Sequence, residues 1–197
     1  VLDDVTEYSL AMARKVGYDN VGTWEWIVTR DGRPFLMEVN TRIQVENGVS
    51  AIISRVKGKS GVDLIAEQIR VGLGEPLGYG QDDITFDGVG IEYRLIAENP
   101  EIKFTPWVGC IEGFGWDKHD WLEMHTHVPT DIAYDIPTEF DPNLALGIIW
   151  GKDLSEVKKH GKKFLDELRL TGRNLGGESL KSNVNFLRTK TDIILKF

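Results

Sequence analysis

The chain is nearly free of cysteine. Its 197 residues include one, Cys110, so no disulfide can close within the chain and a cytoplasmic, reducing compartment is expected. Positive charge is also short: 23 Lys and Arg against 31 Asp and Glu leave a formal net charge of −8. That balance argues against a nucleic acid or an anionic membrane as the main partner. No apolar run approaches the length of a membrane span, and nothing at the N-terminus reads as a signal peptide. Internal repeats and low-complexity segments are absent as well. The sequence opens at Val1, inside what reads as a helix, and is expected to be a piece of a longer protein. What remains is enough chain to bury a real core in one large domain or two small ones.

The most informative stretch runs from Thr23 to Glu46. From Glu38 onward every even position is polar (Glu38, Asn40, Arg42, Gln44, Glu46), with Met37, Val39, Ile43 and Val45 between them and Thr41 the mild exception. In an extended chain alternate side chains share a face, so one edge would carry carboxylates, amides and a guanidinium. In front of it, Asp31-Gly32 signals a two-residue hairpin turn. That turn pairs Arg30 with Arg33, Val28 with Phe35, Trp26 with Met37 and Glu25 with Glu38. Like charges directly opposite destabilise a sheet. A hard cation between Glu25 and Glu38 would answer the repulsion, and Mg²⁺ is the usual ion for carboxylates that meet phosphates. The plainer alternative is a strand with one wet face.

Elsewhere, residues 2–16 place Leu2, Val5, Met12, Ala13 and Val16 on one helical face, with Gly17 as a stop. Asn47–Gly61 reads as irregular, and Gly58-Lys59-Ser60 lacks the upstream glycine of a phosphate loop, since Ile53 stands there. A helix is expected over Asp63–Leu73, with Leu64, Ile65, Ile69 and Leu73 facing inward. Strands are expected at Val89–Ile96, Cys110–Phe114, Trp121–Val128 and Leu146–Trp150, and a helix at Ser155–Leu168. Arg173–Gly177 reads as a loop, and Asn183 onward as helical. The composition shift near residues 75–88 marks a boundary, giving expected domains 1–84 and 85–197, both of α+β class.

The run Glu38–Glu46, EVNTRIQVE, resembles the signature E-[MV]-N-x-R-[IL]-Q-V-E of the biotin carboxylase family of ATP-grasp enzymes. The resemblance continues through Gly61-Val62-Asp63-Leu64, Gly74-Glu75-Pro76-Leu77, Gly90-Ile91-Glu92-Tyr93-Arg94, Ala97-Glu98-Asn99-Pro100 and Ser182-Asn183-Val184. It implies the last part of an ATP-grasp domain followed by the family's C-terminal domain. It also implies MgATP-driven carboxylation, by bicarbonate, of biotin held on a carrier protein. On that resemblance Glu25, Glu38 and Asn40 would hold Mg²⁺ or Mn²⁺, and Ile27, Glu38 and Val184 would belong to the ATP site. Arg42, Gln44 and Val45 would bind bicarbonate, Glu46 would take its proton, and Arg94 would face the ureido oxygen of biotin. Implied partners are a biotin carboxyl carrier protein, a carboxyltransferase component and, in the full-length protein, a second copy.

The chain departs from the family at Asn47-Gly48-Val49-Ser50-Ala51, where H-P-V-T-E is usual, and at Gly147, where lysine is common. The glycine-rich phosphate loop and lysines of the family's lid lie outside the stretch resembled, so this chain alone is expected to be inactive. Two rival readings share the motif: another ATP-grasp ligase, which needs Glu25, Glu38 and Asn40 but not Arg94, and a non-catalytic assembly or regulatory module. His125 and His127, with His119 nearby, could be taken for a zinc site, but an ordinary edge strand accounts for them better. Lys158, Lys159, Lys162 and Lys163 read as the solvated side of an amphipathic helix.

Overall fold

A computed structural model describes residues 1–195, leaving aside the side chains of Ser60 and Ile194. The fold is α+β and divides into two compact units, Val1–Thr85 and Phe86–Phe197.

In the first unit, α1 (Leu2–Val16) stops at Gly17, whose φ of 69° is left-handed and cheap only without a Cβ. The next two elements, β1 (Thr23–Val28) and β2 (Pro34–Asn40), form an antiparallel hairpin. Trp24 and Trp26 alternate with Glu25 and Ile27, so the indoles share one face and the carboxylate lies on the other. Helix α1 takes the indole face: the Trp26 indole N–H donates to Ser9 Oγ at 3.1 Å, and the Tyr8 ring lies 6.2 Å from that of Trp26.

The hairpin differs from the expected register in two places that cancel. Gly32 N–H donates to the Thr29 carbonyl at 2.9 Å and Thr29 N–H to the Arg33 carbonyl at 3.0 Å. The loop is therefore three residues, Arg30-Asp31-Gly32, with Gly32 at φ 82° in the left-handed position such loops require. Val28 then pairs with Pro34, Ile27 with Phe35 and Trp26 with Leu36, one residue off the two-residue-turn register. Continued, that register would oppose Glu25 to Met37. The register shifts instead between Glu25 and Trp26, leaving Met37 as a bulge, and Glu25 pairs with Glu38.

Strand β2 ends at Asn40, so the extended reading to Glu46 is too long: residues 41 and 42 bend, 43 and 44 have no regular structure, and 45 and 46 form a turn. Nor is Asn47–Gly61 irregular, for it contains α2 (Asn47–Ile53) and the paired strands β3 (Ser54–Val56) and β4 (Lys59–Ser60). Helix α3 (Leu64–Gly72) is capped by Asp63, whose Oδ1 accepts the N–H groups of Ile65 at 3.1 Å and Ala66 at 2.9 Å. Its expected inward face is corrected: Ile65, Ile69 and Leu73 are exposed, while Leu64, Glu67, Gln68 and Val71 line a cavity of about 230 Å³ with Val21, Leu77 and Tyr79. The apolar stripe is legible in the sequence, but what covers it is a tertiary matter. Strand β5 (Ile84–Phe86) stands at the junction.

The second unit holds the core. Its strands are β6 (Val89–Ile96), β7 (Glu98–Asn99), β8 (Thr105–Pro106), β9 (Cys110–Gly115), β10 (Leu122–Thr126), β11 (Tyr134–Asp135), β12 (Asn143–Gly151) and β13 (Arg169–Arg173). Helices α4 (Leu154–Glu167) and α5 (Val184–Ile194) complete it. Two antiparallel sheets run in the orders β10-β12-β6 and β11-β9-β13, and β7 pairs with β8. The expected loop Arg173–Gly177 begins one residue inside β13. Ile149, Val157, Phe164 and Leu165 are buried in one core, the last three on one face of α4. Ile148, equally buried, points to the opposite face of β12, which is therefore covered on both sides and shows no alternation. Gly147 is the contact point: a Cβ there would lie 2.5 Å from the Phe164 ring, so the aromatic occupies the space a side chain would need. His125 lies on the edge strand β10 and bonds Glu123 at 2.8 Å, while His127 meets the edge of the Tyr134 ring.

Candidate functional site

The bulge at Met37 brings two carboxylates face to face on the side of the hairpin away from α1. Glu25 is half-buried and Glu38 exposed. The Asn40 amide bridges them, its Nδ2 donating to Glu25 Oε1 at 2.9 Å and to Glu38 Oε1 at 3.0 Å. Gln44, past the end of β2, reaches back and donates to the same Glu25 oxygen at 3.1 Å. Four polar residues thus converge, but by different means. Asn40 gets there by strand alternation, Gln44 because the chain bends after Asn40.

The donor set fits a hard divalent ion. Two carboxylates and an amide supply only oxygens once the Asn40 amide is turned by half a rotation, and oxygen sets of this kind suit Mg²⁺ or Mn²⁺. The Asn40 NH₂ group, with its partial positive charge, lies between the carboxylates where a cation's charge would compensate both. Among the described residues no group of three or more His, Cys, Asp or Glu is arranged to hold a metal.

The other predicted residues are spread out. Ile27, two residues from Glu25 and on its face, is exposed. Arg42 is exposed and donates from Nη1 to the Ile43 carbonyl at 3.1 Å. Val45 and Glu46 occupy the exposed turn entering α2, with Glu46 at its N-cap position. Arg94 and Val184 belong to the second unit. Arg94 is on β6, its side chain 48% exposed and its Nε 3.6 Å from Glu92 Oε1, while that of Glu92 is 6% exposed. Val184 opens α5 and is buried. The residue to which sequence reasoning assigns no role is Asn183, buried and bonded to β6. Its signal is an amide directly before an amphipathic helix, a pattern that also marks an ordinary cap.

An ATP-binding domain followed by a second α+β domain is the class that the comparisons with known proteins return. Residues 2–79 match the carbamoyl-phosphate synthase L chain ATP binding domain, and residues 92–190 match the biotin carboxylase C-terminal domain. The chain belongs to the biotin carboxylase family. It is 37% identical over 160 residues to a biotin carboxylase of Nostoc sp., covering 81% of this chain and 34% of that protein. To the chloroplastic biotin carboxylase of Arabidopsis thaliana it is 37% identical over 164 residues, covering 83% of this chain and 29% of that protein. The biotin carboxylase domain of Hydrogenobacter thermophilus 2-oxoglutarate carboxylase, a dimer solved with MgADP, ADP and bicarbonate, superposes with a TM-score of 0.81 at 30% identity. The match covers 91% of this chain and 36% of that one. The chain therefore spans about a third of the length of the relatives it matches. No helix among the described residues is long and apolar enough to cross a membrane.

Proposed function

We propose that this chain supplies part of the metal, bicarbonate and biotin sites of an ATP-dependent ligase that carboxylates biotin on a carrier protein. The observation that carries the proposal is the Glu25–Glu38 pair bridged by Asn40, placed at the head of the EVNTRIQVE run in a family member. Units 1–84 and 85–197 are taken as the end of the ATP-grasp domain and the C-terminal domain.

In this reading Glu25, Glu38 and Asn40 hold Mg²⁺ or Mn²⁺, which when bound offsets the charge of the ATP phosphates. Ile27, Glu38 and Val184 belong to the nucleotide site. Arg42 and Gln44, with the backbone of Val45, hold bicarbonate, because a planar oxyanion suits a guanidinium fork. Glu46 takes the bicarbonate proton, and the freed oxygen attacks the terminal phosphoryl group of ATP as ADP departs. Carboxyphosphate then breaks into CO₂ and phosphate. Phosphate removes the biotin N1 proton, and N1 forms a bond to CO₂. Arg94 holds the ureido oxygen as negative charge gathers there. The proposed partners are the biotin carboxyl carrier protein, a carboxyltransferase component and a second copy of the full-length protein; the proposed compartment is the cytoplasm.

The test is transfer of labelled bicarbonate to free biotin by the intact protein. ATP- and biotin-dependent label incorporation is expected, while the 197-residue chain alone should show none. Bicarbonate-independent ATP cleavage with no labelled biotin would overturn the proposal.

A further inference from the structure

Strand β6 is an edge strand, with β12 on one side only. Near its end, where Arg94 sits, the open side is closed by a single residue from far along the chain. Asn183 Nδ2 donates to the Arg94 carbonyl at 2.9 Å, Asn183 Oδ1 accepts the Ile96 N–H at 3.0 Å, and the Asn183 N–H donates to the Ile96 carbonyl at 3.1 Å. One amide and one peptide N–H thus do what a neighbouring strand would do. The side chain is buried, with the residue 5% exposed, so water cannot substitute for these bonds. Burial raises the nearby Glu98 carboxyl above its ordinary range, and a hydrogen bond from Asn183 works against that rise.

The Arg94 side chain itself is half exposed, its Nε 3.6 Å from the Glu92 carboxylate. The bonds this side chain makes all start from one Cα–Cβ direction, and the β6 backbone sets that direction. The Arg94 backbone faces Leu146 of β12 on one side. On the other it is held by Asn183.

We infer that Asn183 is a positioning residue for Arg94, acting through the Arg94 carbonyl and the Ile96 N–H to aim the guanidinium at the biotin ureido oxygen. This rests on the biotin role proposed for Arg94. Because Val184 follows directly and opens α5, the same three bonds also tie the start of that helix to the arginine's strand.

The experiment uses the intact protein and two readouts: carboxylation of free biotin, and bicarbonate-dependent ATP cleavage without biotin. Arg94→Met is expected to lower kcat/KM for biotin on the order of 10²–10³-fold, the scale of one lost oxyanion donor, leaving a residual rate on which a second change can be read. Asn183→Ala should lower kcat/KM for biotin on the order of 10-fold, the scale of one or two buried hydrogen bonds, and leave kcat for biotin-free ATP cleavage at saturating ATP within about twofold, since any disturbance of Val184 is read in the KM for ATP instead. A merely structural role would lower both readouts together. Asn183→Ser covers the case in which the alanine variant fails to fold: serine can still occupy the position before the helix, but it is too short to reach both β6 groups. In the double variant with Arg94→Met, either Asn183 change should cost nothing further. An Asn183 variant that loses both readouts in parallel, or costs as much without Arg94 as with it, overturns the inference while leaving the proposed function standing. An Arg94→Met variant that keeps the wild-type kcat/KM for biotin overturns the proposed role of Arg94, and this inference with it.

Discussion

The Glu25–Glu38 pair makes a quantitative prediction about metal binding that needs no turnover. Replacing Glu38 by Gln keeps an oxygen that can accept the Asn40 N–H, now 3.0 Å away, and removes only the charge. Two unit charges about 4 Å apart interact by about 1 kcal/mol in water and about 4 at an effective dielectric near 20; a divalent ion doubles both figures. Glu38 is exposed, so the watery end of the range applies. The expected loss is about 2 kcal/mol, or a roughly 30-fold weaker Kd. Glu46→Gln makes the same change in net charge but sits beyond the bends that follow β2, in the turn entering α2. Since Glu46 is no donor to the proposed ion, this change should weaken the Kd by less than Glu38→Gln does. The assay is titration of the 197-residue chain with Mn²⁺, following the spectrum of the free ion. Equal affinities for wild type and Glu38→Gln would refute the shared-cation reading. Equal losses for Glu38→Gln and Glu46→Gln would show that only net charge matters.

Two further outcomes follow from the second unit. Phe164 is 1% exposed, 6.1 Å from the Tyr93 ring and closed over Gly147, so Phe164→Ala should cost about 3–5 kcal/mol in urea unfolding. Gly147→Ala should destabilise by about 1–3 kcal/mol, and much less in the Phe164→Ala background, where the clash is gone; equal costs in both backgrounds would refute the contact. Burial raises the Tyr93 phenol above 10.0, with the Thr191 hydrogen bond opposing the rise. A tyrosine raised in the folded state keeps its proton after the unfolded chain has lost it, so stability is full below about pH 10 and falls above it. Urea midpoints between neutral and alkaline pH should show that decline, and Tyr93→Phe should remove part of it; an unchanged slope would reject the assignment.

How much is legible in the sequence can be seen at Glu25 and Glu38. Composition and alternation are enough to bring the two carboxylates together, and the motif from Glu38 to Glu46 is enough to place the family. The route they suggest is wrong all the same. The three-residue loop and the Met37 bulge each shift the register by one, and a bulge leaves no periodic mark on side chains because it is a backbone device. Helix α2 escapes the sequence pattern for a related reason: seven residues beginning Asn-Gly are too few to show a 3.6 period.

Local pattern determined the long elements, because a helix or strand that buries one face must repeat its apolar residues at its own period. That holds for the end of β6 and for α4, where the stripe and the core coincide. It fails for α3, whose stripe of Ile65, Ile69 and Leu73 is exposed, since periodicity identifies a face but not its cover. Only the tertiary structure decided where the amides bond: Gln44 bends back 19 residues to Glu25, and Asn183 spans 89 residues to the Arg94 carbonyl. Hydrogen bonds at such separations depend on where the chain returns, which no local periodicity encodes.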